Sequence, residues 1–323
     1  MKGDPMGYSS MMEADMVHDT TTGSKVIGID LGGTNIKAAL LDAKTGECEA
    51  KLTALTRDGA VEQGRPAFVA EAEKLIQQLE RDAGERIGKI GISAPGLANP
   101  NGRRIEWMPG RMHGLAGLDW PEALGRDAQV LNDAQAALLG EVWQGAARGA
   151  RQVVMLTLGT GVGGAVMCDG RLLRGRLGRA GHLGHITVDA AGPGDIVKTP
   201  GSLEDAVGNA TLGRRSGGRF TMTRDLLKAV GEGDDEARGI WEVSMRALAA
   251  GLASIINMAD PEVVVLGGGI AAGGRKFIEE PLARWLDVFE WRPGGNRVRI
   301  EFATLGEWAG AIGAGWAALG GGL

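Results

Sequence analysis

The chain has 323 residues and a formal net charge of −5 at pH 7, so it exceeds one ordinary core and shows no basic footprint for nucleic acid. Its hydrophobic content of 44% and charged content of 23% are ordinary for a globular protein. Glycine is the outlier at 55 residues, in short turns after apolar runs, which suggests backbone that approaches a ligand closely.

The first 24 residues are polar, rich in methionine and aperiodic, and we expect a disordered leader over 1–24. They contain no apolar segment typical of a signal peptide. No apolar run approaches about 18 residues, so we expect no transmembrane helix and no membrane partner. The two cysteines, Cys48 and Cys168, stand far apart, which favours free thiols and a reducing cytoplasm.

The first chemical signal is a glycine turn between a strand predicted over 25–30 and a strand predicted over 36–41. Glycine lets an anion approach backbone N–H groups closely, and Asp30 could hold a cation, or its water, beside that anion. The alternative is a plain hairpin turn. The amides predicted to face the anion are those of Gly32, Gly33 and Thr34.

Helix 66–82 and strand 86–93 follow, the strand broken by a turn at Gly96, and the pair Asn132-Asp133 ends the apolar run 128–131. A helix is predicted over 134–147, so a helix N-cap is one interpretation of the pair. The other is that Asp133 performs chemistry at the end of a strand.

A second strand–glycine turn–strand unit follows, with strands predicted at 151–158 and 165–168. A dinucleotide-binding fingerprint would need a helix after the glycines, and here a strand follows. The unit therefore repeats the opening, residues 27–30 matching 155–158, and indicates two lobes of one topology. Its turn residues are Gly159, Thr160 and Gly161.

The rest of the chain alternates helical and strand-like patterns with a third glycine turn. The predicted elements are strand 186–189, a short helix opened by Ser202, helices 223–231 and 236–258, strand 261–266, the turn Gly267-Gly268-Gly269, helix 276–289, strand 298–303 and helix 308–319.

Together these motifs resemble the ROK family of sugar kinases and repressors, in the actin-like ATPase superfamily. The matching stretches are IGIDLGGTNIKAALLD at 27–42, LNDAQAALLGE at 131–141, residues 145–175, AGHLGH at 180–185 and VVVLGGGI at 263–270. The resemblance implies an α/β, two-lobed actin-like ATPase (duplicated ribonuclease H-like) fold with a cleft between the lobes. We expect an N-terminal lobe of 25–132 plus 308–323 and a C-terminal lobe of 133–307.

The resemblance also implies an ATP- and Mg²⁺-dependent kinase that phosphorylates a hydroxyl, by family default O6, of a hexose-like sugar. Asp133 looks like the catalytic base, and Asp30 looks like the residue near Mg²⁺, through water. The predicted sugar-binding set is Asn132, Gly96, His182, His185 and Glu204. The predicted ATP and phosphate set is Gly32, Gly33, Thr34, Lys37, Gly159, Thr160, Gly161, Gly267, Gly268 and Gly269. A homodimer is expected, as is common in the family.

The sequence departs from the family pattern at two places. An ExGH motif usually supplies a sugar-binding Glu, and here that position is His182. An imidazole accepts one hydrogen bond and donates one, so we expect glucose not to be the best substrate, unless His182 only packs or bridges through water. The family commonly continues with a zinc knuckle in which the motif His, here His185, joins three Cys. Residues 192–205 contain no Cys, so we expect no structural zinc.

Four alternatives remain at this point. Glu204 falls where the family has a sugar-binding Glu, but it is also typical of a helix N-terminal charge. The family includes repressors, which need a DNA-binding helix-turn-helix, and 1–24 shows neither helical periodicity nor a basic patch. A non-catalytic sugar-binding protein would need a broken centre. A polyphosphate donor could be attracted by basic residues between Arg171 and Arg179.

Overall fold

The computed structural model describes residues 23–323. Its strands are β1 Lys25–Leu31, β2 Asn35–Asp42, β3 Cys48–Leu55, β4 Val61–Glu62, β5 Arg65–Pro66, β6 Lys89–Ala94, β7 Leu97–Ala98, β8 Ile105–Trp107, β9 Asp127–Asn132, β10 Val153–Leu158, β11 Val162–Cys168, β12 Arg171–Leu172, β13 Val263–Gly267 and β14 Arg299–Phe302. Its α-helices are α1 Ala67–Ala83, α2 Trp120–Leu124, α3 Asp133–Gln144, α4 Leu203–Val207, α5 Leu212–Arg215, α6 Thr223–Gly231, α7 Asp235–Ala259, α8 Gly268–Phe289 and α9 Ala309–Ala318. The predicted leader lies outside the described residues, apart from its last two.

Two five-stranded sheets have the same topology, which confirms the predicted duplication. The first has the order β3-β2-β1-β6-β9 and the second β12-β11-β10-β13-β14. In each sheet, the strand before the glycine turn (β1 or β10) pairs antiparallel with the strand after it (β2 or β11). On its other side it pairs parallel with β6 or β13. Asp30 pairs with Lys37 and Thr157 pairs with Gly163 at corresponding positions. Asp30 therefore corresponds to Thr157, one residue earlier than the sequence alignment placed it.

Two predicted elements are wrong. Residues 186–189 form no strand, because their ladder is a single bridge from Thr187 to Ser202 and the amides of Val188 and Asp189 both bond Gly201. The third glycine turn is the junction between β13 and α8, and α8 begins at Gly268 instead of residue 276. Gly268 has a φ of +83° and its Cα packs against the Leu158 carbonyl, so the helix starts against the end of β10.

The closing helix α9 packs against β1, β6 and α3 at backbone-contact distance. A Cβ on Gly28 would lie 1.8 Å from the carbonyl oxygen of Ala311, and a Cβ on Gly313 would lie 1.8 Å from that of Ala136. Because a backbone carbonyl cannot swing away as a side chain can, glycine is required at both positions. The first sheet, α3 and α9 therefore form one tightly packed block.

Helix α7 is, within residues 23–323, the one helix long and apolar enough by composition to cross a membrane, with a mean hydropathy of 1.3. Its Trp241, Met245, Leu248 and Leu252 are buried in the core over the second sheet. A buried core helix passes the same test of length and composition, which makes this weak evidence for a membrane span. Cys48 and Cys168 are free thiols, as predicted.

The Glu141 carboxylate joins the two segments by which the chain crosses between the sheets. The residue is fully buried near the end of α3. Its oxygens accept from the amides of Ala146 at 2.7 Å, Thr304 at 3.0 Å and Leu305 at 2.9 Å, and from the Thr304 hydroxyl at 3.1 Å. Thr304 and Leu305 connect β14 to α9, so one carboxylate fixes both crossings.

Glu141→Gln is expected to lower the free energy of unfolding by about 3 kcal/mol, because the amide NH₂ would face backbone donors and leave them unsatisfied. Urea unfolding measures the change. The control, Glu232→Gln on the exposed end of α6, should stay within about 0.5 kcal/mol of the parent. Equal stabilities of the two variants would contradict the role given to Glu141.

Candidate active site

Two carboxylates from different strand ends face one cavity of about 640 Å³. Asp30 lies near the end of β1, and Asp133 begins α3 directly after β9. Strand β6 lies between those strands, and its Ser93 hydroxyl donates to Asp30 Oδ1 at 2.6 Å. Because β1, β6 and β9 are parallel, their carboxyl ends meet at one edge of the sheet, and this edge forms the cavity floor.

Asn132 is the N-cap of α3, which confirms the interpretation of the pair as a cap. Its Oδ1 accepts from the amides of Ala134 at 3.0 Å and Gln135 at 3.4 Å, and its Nδ2 donates to the Gly96 carbonyl at 3.0 Å. Gly96 has a φ of +103°, in the left-handed region that favours glycine. The cap and the Gly96 contact together fix the direction in which Asp133 leaves the sheet.

The protein atoms packed around the Asp133 carboxyl raise its pKa, although the side chain itself faces the open cleft. The Ala134 amide and the nearby charges of His182 and Arg111 act in the opposite direction. Burial, and then the charge of Asp133, raise the pKa of Asp30, while its bond from Ser93 and the charge of Lys37 lower it. The two carboxylates therefore form a like-charged pair in a protein-walled cavity, as in catalytic sites.

The first hairpin turn differs from the sequence expectation in one respect. The Gly32 amide bonds the Asn35 carbonyl at 3.0 Å, so it is not available to an anion. The amides of Gly33 and Thr34 have no hydrogen bond within residues 23–323. The Thr56 hydroxyl donates to the Gly32 carbonyl at 2.6 Å and holds the turn from behind. Two amides, rather than three, remain for a ligand.

The second hairpin turn has a similar pattern of hydrogen bonds. The Gly159 amide bonds the Gly161 carbonyl at 2.9 Å, while the amides of Asn209 and Ala210 bond the carbonyls of Gly159 and Thr160. These contacts occupy the carbonyls of the turn. The amides of Thr160 and Gly161 have no bond in the described part of the chain.

Glu204 lies against this second turn. It stands in the first turn of α4, as the helix-charge alternative proposed, and its Oε2 accepts from the Val162 amide at 3.0 Å. A Cβ on Gly161 would lie 2.1 Å from the same oxygen, so a larger residue there would displace the Glu204 side chain. The contacts of Glu204 thus support the hairpin, and they use one of its two oxygens.

The third glycine junction, Gly267–Gly269, lines the cavity together with Lys37, which is 3.0 Å from Glu307. The N-terminus of α8 therefore faces the same space as the two aspartates, and helix N-termini favour anions. A second cavity of about 640 Å³ is bounded by Gly159, Gly269 and α6.

None of the five predicted sugar residues, which are Asn132, Gly96, His182, His185 and Glu204, lines either cavity. His182 is close enough to Asp133 and His185 for their charges to affect it. Burial, followed by His185, lowers the pKa of His182, and Asp133 raises it. The neutral form of the imidazole is therefore favoured. His185 contacts Asp195, its Nδ1 lying 2.9 Å from Oδ2.

Several residues at the site had no signal in the sequence. Thr157, Arg275 and Phe302 line the cavity, and Arg111 lies near Asp133. Thr157 could have been found from the duplication, because it occupies the position of Asp30 in the second sheet. Arg275 and Arg111 lie on a helix and in a loop whose patterns carry no motif.

The two aspartates fit a magnesium ion. Mg²⁺ prefers oxygen ligands and is commonly held by one or two carboxylates, with waters and substrate phosphates completing its shell. Asp30 and Asp133 place two such carboxylates in one cavity, and a cation there would offset the burial that raises both pKa values. Within residues 23–323 no group of three or more His, Cys, Asp and Glu could hold a metal by itself.

A profile of the ROK family matches residues 26–320. The chain belongs to the ROK family. A glucokinase from Thermotoga maritima is 34% identical over 271 residues, which cover 77% of the ROK chain and 83% of that protein. The ROK hexokinase structure from Thermus thermophilus is 33% identical with a TM-score of 0.77, covering 91% of this chain and 98% of that one.

A ROK glucokinase from Streptomyces griseus, solved with glucose and AMPPNP, is 27% identical with a TM-score of 0.72 and covers 92% of the ROK chain and 100% of its own. The duplicated α/β architecture is therefore the actin-like ATPase fold of the family. These relatives support sugar phosphorylation as the activity at family level.

Asp133→Asn is expected to raise the melting temperature by about a degree at pH 7, because solvent in the open cleft screens part of the cost of an ionised carboxyl there. A carboxyl whose pKa is raised by folding loses stability as pH rises through its unfolded value near 3.9, and asparagine removes that loss. The gain should therefore vanish below about pH 4. Thermal unfolding between pH 3.5 and 8 measures it, with exposed Asp127→Asn as the control. A variant less stable than the parent at pH 7 would contradict the electrostatics described.

Proposed function

We propose that the ROK chain is an ATP- and Mg²⁺-dependent kinase that phosphorylates a hydroxyl, O6 by family default, of a hexose or a hexose-like sugar. The observation that supports this most directly is the position of Asp133, with a raised pKa, at the floor of a cavity that the N-terminus of α8 and its glycines, Gly267–Gly269, also line. Phosphoryl transfer depends mainly on positioning and on charge stabilisation, and these elements supply both.

In this proposal, ATP is held by backbone amides and one lysine. The unbonded amides of Gly33, Thr34, Thr160 and Gly161 face the phosphates from the two hairpins, and the start of α8, with Gly267–Gly269, lies beside the adenosine. Lys37 adds a positive charge at the cavity. Because the turns are held by their own hydrogen bonds, these donors need no reorganisation as charge develops.

Asp133 acts as the general base. It receives the proton of the attacking hydroxyl, a contribution of roughly 10²–10⁴-fold to the rate, and its raised pKa brings it closer to the operating pH. Asp30, through water, would hold Mg²⁺, which supplies charge neutralisation at the phosphates when bound, and Asp133 stays free to take the proton.

The sugar is proposed to contact Asn132, His182, His185 and the free oxygen of Glu204, while Gly96 positions Asn132. Asn132 retains one amide hydrogen after its bond to Gly96. His182 replaces a carboxylate that would accept from two hydroxyls, and a neutral imidazole accepts from only one. We therefore propose a sugar other than glucose as the preferred substrate.

Asp133→Asn should retain sugar binding and lose turnover by about 10²-fold or more, because the amide cannot accept the proton. A coupled ADP-release assay with ATP and Mg²⁺ measures turnover, and calorimetry measures sugar binding. For the parent, log(kcat/KM) should fall on the acid side with an apparent pKa above about 4, since Asp133 must be ionised. Asp127→Asn is the matched control, and parental turnover in Asp133→Asn would exclude this mechanism.

His182→Glu should shift the preference toward glucose by about tenfold in kcat/KM relative to the parent's best sugar, because it restores two acceptor oxygens. The assay is ADP release across a panel of hexoses, N-acetylhexosamines and polyols. His113→Glu, on an exposed loop outside the predicted sugar set, is the control. A clear preference of the parent for glucose would refute the substrate proposal.

A sugar-binding regulator or a non-catalytic sugar-binding protein is the alternative, and it predicts binding without ADP release in the same assay. A polyphosphate donor is tested by replacing ATP with polyphosphate. Arg174 is half-buried and donates to the Pro100 carbonyl at 3.1 Å, which makes it a poor polyphosphate contact.

A homodimer in the cytoplasm is part of the proposal and is tested by light scattering and fractionation.

A further inference from the structure

The segment between His185 and Glu204 is a closed loop whose two ends are joined. Thr187 and Ser202 form a bridge, the Leu203 amide bonds the Ile186 carbonyl at 2.8 Å, and the Val188 amide bonds the Gly201 carbonyl at 2.8 Å. Two of the proposed sugar contacts therefore flank one loop, and the shape of the loop sets their separation.

The centre of this loop is the carboxylate of Asp195, whose side chain is fully buried. Its Oδ1 accepts from the amides of Val197 at 2.9 Å and Thr199 at 2.8 Å, and its Oδ2 lies 2.9 Å from His185 Nδ1. The Ser202 hydroxyl lies near enough to lower the pKa of this carboxyl. Ser202 Oγ in turn accepts from the Asp205 amide at 3.2 Å and caps α4, the helix that carries Glu204.

The carboxylate is ionised in this position. Burial alone would raise the pKa of Asp195, but the hydrogen bonds from His185, Thr199, Ser202 and Val197 outweigh it and hold the pKa below its ordinary value. An ionised carboxylate only accepts hydrogen bonds, so the hydrogen between the two side chains must belong to His185 Nδ1. No bond to His185 Nε2 is found within residues 23–323, and the side chain is partly exposed.

We propose that Asp195 is the positioning residue of the sugar site: it closes the 185–204 loop and fixes the His185 tautomer, so that Nε2 accepts a substrate hydroxyl. In this chain a buried carboxylate thus performs the organising task that the resemblance assigns to zinc. The donor set around His185 does not fit zinc, because Asp195 is already committed to backbone amides and residues 192–205 contain no cysteine. The inference rests on the proposed function, since the hydroxyl belongs to the proposed sugar.

Asp195→Asn is expected to change the His185 tautomer without changing the packing around residue 195. The asparagine is isosteric, and its oxygen still accepts from Val197 and Thr199, while its NH₂ group now faces His185. That donor forces Nδ1 to accept, which moves the imidazole hydrogen to Nε2 and reverses the polarity presented to the sugar. The KM for the best sugar should rise at least tenfold, with kcat changed less than about threefold and the KM for ATP unchanged.

Two controls identify the path of the effect. Asp189→Asn changes the same chemical group on the same loop, where Oδ1 accepts only from the exposed Ala191 amide at 3.0 Å, and its kinetics should match the parent's. In a His185→Ala background, Asp195→Asn should give no further rise in the KM for sugar. An equal, additive loss in that background would overturn the proposal, because Asp195 would then act independently of His185.

Measurements that do not depend on enzymatic activity test this inference separately from the kinase proposal. Nitrogen-15 NMR of the parent should show His185 as the Nδ1–H tautomer, and Asp195→Asn, if folded, should show the Nε2–H form. Treatment with a chelator and addition of Zn²⁺ should leave the parent's melting temperature unchanged. An Nε2–H tautomer in the parent, or stoichiometric zinc in the purified protein, would overturn the proposal. Absence of sugar phosphorylation with the expected tautomers would reject only the kinase function.

Discussion

The contact of helix α9 with the first sheet and with α3 is the constraint on which the site depends. Gly28 and Gly313 allow backbone to lie against backbone, where any side chain would collide with a carbonyl. This packing brings the end of β1 and the start of α3 to the same floor, with Gly310 against the Asp30 carboxylate. A wider spacing would separate Asp30 from Asp133 and remove the cavity that both line.

The two carboxylates of Asp30 and Asp133 destabilise the folded chain but supply groups for chemistry. Burial raises the pKa of both carboxylates, the charge of Asp133 adds to the rise at Asp30, and such strain is commonly tolerated where function needs it. The compensation comes from elsewhere in the same block, where the buried Glu141 carboxylate has all of its acceptor capacity matched by backbone and hydroxyl donors. One buried acid is fully satisfied and structural, and the pair is left available to ligands.

The two sheets share a topology but present different groups at the cleft. The position of Asp30 in the first sheet is taken by Thr157 in the second. In each hairpin, one glycine amide is hydrogen-bonded within the turn and two amides remain for a ligand. Asp195 and Glu204 provide the support of the second sheet's loops, the former through His185 and the latter through Val162. Carboxylates that contact backbone amides are thus used repeatedly to fix loops beside the site.

The sequence by itself determined the duplication, the glycine hairpins and the position of Asp133, because these depend on local periodicity and on turn residues. It did not determine how the loop from His185 to Glu204 closes, because a strand was predicted over 186–189 and a single bridge from Thr187 to Ser202 is found there. That loop is organised by one side chain, Asp195, which meets its partners only after the chain has folded back. The start of α8 and the pairing of Glu204 with Val162 were likewise decided by tertiary contacts, since neither has a local signal.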